Sequence, residues 1–143
     1  MVGIDEYLCA GSNPATGNNL GGDMREIKFR AWNKTLEVMH LNIHKYDSLP
    51  EKLARPDEYH IMQYTGLKDK NVVEIYEGDI IKHFYEEFFS DGKAVGYIDW
   101  DQNDACFKVE YNTGSRAIPD IDIDFEEFEV IGNIYQDSHL LEN

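Results

Sequence analysis

In Arg25-Glu26-Ile27-Lys28-Phe29-Arg30-Ala31-Trp32, apolar and charged side chains take turns. On an extended chain Ile27, Phe29 and Ala31 fall on one side and Glu26, Lys28 and Arg30 on the other, the period of two of a half-buried strand. Asn33 and Lys34 supply a turn, and Leu36, Val38 and Met39 open a second strand, so the pattern predicts an N-terminal hairpin. Beyond it, His44 to Asp57 holds Pro50 and Pro56 and few apolar residues; Ser48 is placed to cap a short helical turn through Leu53.

Strand character returns at Tyr59 to Tyr64, followed by a polar loop from Thr65 to Asn71. In Glu74-Ile75-Tyr76-Glu77-Gly78-Asp79-Ile80-Ile81, Gly78 can take a positive φ and Asp79 can bond to nearby amides, which predicts a turn feeding a strand from Ile80 to Tyr85. Further strands are predicted at Ala94 to Trp100, Cys106 to Tyr111 and Glu129 to Tyr135, with a last short turn from His139. Their short separators, such as Asp101-Gln102-Asn103-Asp104, describe an antiparallel meander closing into a small barrel or sandwich. The expected class is mainly β, with at most short helical turns.

Composition agrees. The chain has 143 residues, the length of one domain, and is 42% hydrophobic and 13% aromatic, ample for a packed core. Residues 1–23 differ: they hold five of the eleven glycines and none of the thirteen Lys and Arg, and read as a flexible extension that makes Met24 the expected natural start. Asp5 and Glu6 stand where a secretory signal is positive, and no apolar run approaches the ~20 residues of a bilayer span. A cytoplasmic location is the expectation. Cys9 and Cys106 lie far apart with no Cys-x-x-Cys partner, so no disulfide framework or zinc motif is implied, and Asn33-Lys34-Thr35 is a chance match to a glycosylation acceptor.

The formal net charge is −15, and from Ala117 to Asn143 eight acidic residues stand without one Lys or Arg. Such a surface disfavours nucleic acid and anionic membranes, whose binding rests on basic side chains, and favours a partner protein with a basic surface. Unpaired strand edges also leave self-association into a homo-oligomer open.

Three stretches resemble one known family in the right order. Met24 to Trp32 looks like the opening of YopX-like proteins; Met62 to Asn71 with Glu74 to Ile81 resembles their central signature, and Val130-Ile131-Gly132-Asn133-Ile134-Tyr135 their closing one. The resemblance runs from Met24 to Leu141. It implies a β domain over 24–143, with an N-terminal part (24–78) and a small barrel of the Src-homology-3 type (79–143). It also implies an origin in bacteriophages or prophages, and it carries over no activity, cofactor or catalytic residue. The extension and Asn33, where the family often has Asp, depart from the pattern.

Candidate chemistry is sparse. His40 and His44 have the spacing of helical metal ligands, but in the strand read from Leu36 to Ile43 that spacing is roughly 13 Å, so both are expected to be surface histidines. Asp99, Asp101 and Asp104 are expected as solvated turn carboxylates; a metal-assisted hydrolase built on them is the alternative. Lys68-Asp69-Lys70-Asn71 reads as a hairpin tip. Asp120, Asp122 and Asp124 alternate with Ile121 and Ile123 as on a wet edge strand. Phosphate loops and nucleophile elbows are absent from the sequence. The residues that remain as binding candidates are Tyr64, Tyr76 and Trp100, as core or as an aromatic groove, and Asp120, Asp122 and Glu127, as an acidic strip able to mimic nucleic acid. The leading expectation is a non-catalytic module that binds a host or phage protein.

Overall fold

The computed structural model describes residues 25–45, 48–84, 93–111 and 127–142. The extension, Tyr85, and the acidic strip with Asp120, Asp122 and Asp124 lie outside them. The chain is mainly β, and the described residues form two four-stranded antiparallel sheets, one six-residue helix and short 3-10 turns. The first sheet runs β2 (Val38–His40), β1 (Phe29–Asn33), β3 (Tyr59–Lys68), β4 (Glu74–Tyr76). The second runs β7 (Cys106–Tyr111), β6 (Lys93–Asp101), β5 (Asp79–Phe84), β8 (Glu129–Asn133). The expected barrel is present as a curled half-barrel with β7 and β8 at its edges; a register shift between Ile80 and Ile81 bends β5 against β8.

Asparagine and aspartate side chains make the corners. Asn33, at the end of β1, accepts the amides of Thr35 and Leu36 at 2.9 and 2.8 Å. Asp69, after β3, accepts those of Asn71 and Val73. Asp101, ending β6, takes Asn103 and Asp104; Asn133, ending β8, takes Tyr135 and Gln136. All four are buried, because each side chain does for the turning backbone what water would otherwise do. Asn33 is 1% exposed: its Oδ1 serves the turn and its Nδ2 donates to Glu58 at 3.2 Å.

Several expectations are corrected here. The first strand begins at Phe29: Phe29 and Ala31 pack inward with Ile43, Tyr59, Leu49 and Ile61, whereas Ile27 is exposed. Its other face is not wet, since Arg30 and Trp32 are buried by the second sheet and Tyr135. Thr65 to Lys68 continues β3 instead of forming a loop, with Gly66 at a φ of 90° and the Thr65 hydroxyl donating to the Ile75 carbonyl. Ser48 does not cap; it begins the helix Ser48–Leu53, and its hydroxyl donates to the Ile43 carbonyl. The histidines are half-buried: His40 lies edge-on to Tyr59, and the His44 Nδ1 accepts the Phe29 amide at 3.1 Å.

The main core lies under the second sheet, and both halves of the chain supply it. Ile81, Ile98, Phe107, Val109 and Phe128 surround Ile75 from β4, with Leu67, Tyr111 and Val130 at the margin. The β3–β4 loop grips the second sheet through one backbone and one side-chain bond: the Lys70 amide donates to the Phe128 carbonyl, and the Val130 amide to Asp69 Oδ2. Among the described residues no helix is long and apolar enough to cross a membrane.

Candidate functional site

The turn between β4 and β5 brings the two sheets together. Gly78 has a φ of 81°; its amide donates to the Ile98 carbonyl and its carbonyl accepts the Ile134 amide, both at 2.8 Å. Beside it, Asp79 Oδ1 meets Arg30 Nη2 at 2.7 Å, while Oδ2 accepts the Tyr76 amide at 2.8 Å. Arg30 also donates to the Glu77 carbonyl, and its guanidinium lies 4.8 Å over the Tyr76 ring. Burial pushes the Asp79 carboxyl upward, opposed by Arg30 and the Tyr76 amide. Burial also raises Glu77, opposed by the Gln63 amide that its carboxylate accepts. Tyr135 completes the junction, stacked 5.9 Å from Trp32 and 4.9 Å from His60, its phenol raised by burial and then by Glu77. Residues from all three of the stretches that carried the resemblance therefore meet at this turn.

Tyr64 and Tyr76 belong to the same knot. They are 3% and 9% exposed, with ring centroids 5.4 Å apart. The Lys28 ammonium lies 5.3 Å over Tyr64 and is shared between Glu26 and Glu74; the Tyr76 hydroxyl donates to Glu74. Burial raises the Tyr76 phenol to about 12. These rings are interior, not the walls of an open groove. Trp100 stands in the other sheet, 39% exposed and edge-on to Phe107 at 5.1 Å. Glu127 is exposed and bonds the buried His83 at 3.2 Å. The structure thus brings Tyr64 and Tyr76 together and leaves Trp100 and Glu127 elsewhere.

The second sheet turns a different face outward. Tyr97 stands opposite Glu110, Asp99 opposite Lys108, and Asp101 opposite Cys106. Lys108 reaches Asp101 at 3.2 Å and Glu110 at 2.6 Å; those two hydrogen bonds hold its ammonium firmly protonated. Asp101 is held low by the Asp104 and Asn103 amides and then by Lys108, so it is a buried turn-former and not a solvated carboxylate. Among the described residues no three His, Cys, Asp or Glu side chains are grouped closely enough to hold a metal ion.

Arg30, Glu77, Tyr97, Glu110 and Tyr135 escaped the sequence reading. Arg30 looked like a wet-face residue, and only the second sheet buries it. Tyr97 and Glu110 are joined by a register that no local pattern displays.

Comparisons with known proteins bear on this fold. Among solved structures, the chain is similar to protein EF1440 from Enterococcus faecalis, with a TM-score of 0.51 and 24% identity over 82% of this chain and 99% of that one. That likeness shows a shared fold. No curated protein compared matches the chain. The family model described as YopX protein matches residues 40–142, leaving the opening stretch from Met24 to Trp32 outside. A match over most of the sequence places the chain: it belongs to the YopX family.

Proposed function

We propose that the chain is a non-catalytic binding module that takes a protein with a basic surface on its second sheet. One observation carries this reading: the charge is divided. Residues 25–78, which build the first sheet, hold nine Lys and Arg against nine Asp and Glu; residues 79–143 hold four against sixteen. The first half is electroneutral, and it carries the exposed Leu36, Val38, Leu41, Leu53 and Val72. The second half presents Asp99, Glu110, Glu127 and Glu142 to solvent or near it. A potential of one sign on one half steers an oppositely charged macromolecule into a single orientation.

The ionisable groups at the junction support a structural role for that knot. Arg30, Asp79, Glu77 and Lys28 each have a protein partner. A host or phage protein fits as the partner, in keeping with the origin that the family resemblance implies.

Calorimetry of the full chain against an arginine-rich peptide and an aspartate-rich one tests the reading. The arginine peptide binds at low salt and weakens as salt rises, while the acidic peptide gives no heat. Equal binding of both peptides, or binding of neither, overturns it.

A further inference from the structure

We infer that the hollow between β6, β7 and the terminal 3-10 turn (Ser138–Leu141) receives a cationic side chain, guanidinium or ammonium, from that partner. This deepens the proposed function and rests on it. Tyr97, Glu110, Tyr111, Ser138, Leu141 and Glu142 line the hollow, which is open to solvent and has a volume of about 460 Å³. That is within the roughly 300–1,000 Å³ of small-ligand sites, ample for one long side chain.

Its chemistry selects the occupant. The Tyr97 ring and Leu141 give an apolar and aromatic wall, the surface on which a cation is held by the ring quadrupole. Carboxylates stand at the rim: Glu110 and Glu142 in the lining, with Asp99 one position away on the Tyr97 face. This face already holds one ammonium, since Lys108 bridges Asp101 and Glu110. Lys108 answers two of the carboxylates here, Asp101 and Glu110, whereas Asp99 and Glu142 have no ion-pair partner among the described residues. The Tyr97 phenol is raised by burial and then by Asp99 and Glu110, so it stays neutral and able to donate a hydrogen bond.

A divalent ion suits the hollow less well. The described residues offer no close group of three ligands, whereas a guanidinium can stack on a ring and reach separated carboxylates at once. An anion would meet the Glu110 and Glu142 carboxylates, and the nearby Lys108 ammonium is already taken by Asp101 and Glu110.

The test is an amide chemical-shift titration of the full chain with a blocked tetra-arginine peptide, alongside calorimetry of variants. The proposal expects the largest shifts at Tyr97, Glu110, Ser138 and Glu142. It expects Glu142→Lys to weaken the peptide about tenfold and Tyr97→Leu about two- to fivefold, while Glu51→Gln in the helix Ser48–Leu53 has no effect. Glu142 is exposed, so the first variant keeps its fold and the amide spectrum verifies it. Binding with shifts centred elsewhere, or unaffected by Glu142→Lys, overturns the hollow and leaves the basic-partner reading standing. Absence of binding overturns both. Calcium moving the same amides at lower concentration than the peptide also overturns it, in favour of a metal site.

Discussion

Asp79→Ala tests the knot that joins the sheets. Asp79 is 2% exposed and satisfies two groups at once, the Arg30 guanidinium at 2.7 Å and the Tyr76 amide at 2.8 Å. Without it, Arg30 keeps the Glu77 carbonyl and the Tyr76 ring but no carboxylate, and its Nε already lacks a hydrogen-bond partner. Removing one member of a buried pair costs about 3–5 kcal/mol, because the other charge remains buried and uncompensated. Domains of this size have a total stability of about 5–15 kcal/mol, so the variant sits close to unfolding. Arg30→Met leaves the carboxylate in the same position. The double variant buries no lone charge and loses chiefly the acceptor for Tyr76. Urea unfolding of the four proteins therefore gives a double variant at least about 2 kcal/mol more stable than the sum of the single losses predicts. Single costs below about 1 kcal/mol, or costs that simply add, would refute the assignment of this pair as the clasp between the sheets.

Three further outcomes follow from the geometry. Gly78→Ala lowers stability by about 1–2 kcal/mol in urea unfolding, since a φ of 81° disfavours a Cβ that would also lie 3.2 Å from the Met62 sulfur. Gly96→Ala costs about 1–3 kcal/mol, because its Cβ would lie 2.6 Å from the Glu110 carbonyl and force β6 from β7. Burial lowers His83 from its ordinary 6.5, with the Glu127 bond opposing. The unfolded chain then binds the proton more readily, so this group's stabilisation is complete above 6.5 and declines as pH falls below it. Unfolding midpoints of wild type and His83→Gln measured between about pH 7.5 and 5.5 converge as the pH drops, the wild type losing its advantage; a constant gap contradicts the buried neutral imidazole.

What could be read from the chain divides along physical lines. Local pattern fixes local structure: β7 falls on Cys106–Tyr111 as the alternation predicts, and Asp79 in the Gly78-Asp79 turn accepts the Tyr76 amide as expected of it. Errors arise where a distant partner decides. Arg30 reads as solvated until Asp79 is brought beside it, and Thr65 to Lys68 reads as a loop until β4 pairs across it. Asn133 ends β8 two residues before the apolar pattern does, because its side chain captures the Tyr135 and Gln136 amides. The hollow was out of reach altogether: Tyr97 and Glu142 are brought together only by the return of the chain's end to β6. The division of charge, in contrast, is written in the sequence.

The central claim is that the second sheet, not the first, meets the partner. Carbodiimide footprinting of exposed carboxylates, with and without a bound arginine-rich peptide, reads this directly by mass spectrometry. A partner on the second sheet protects Asp99, Glu110 and Glu142 and leaves the labelling of Glu37, Glu51 and Asp57 unchanged. Protection of Glu37, Glu51 and Asp57, with Asp99, Glu110 and Glu142 labelled as in the unbound chain, would contradict it.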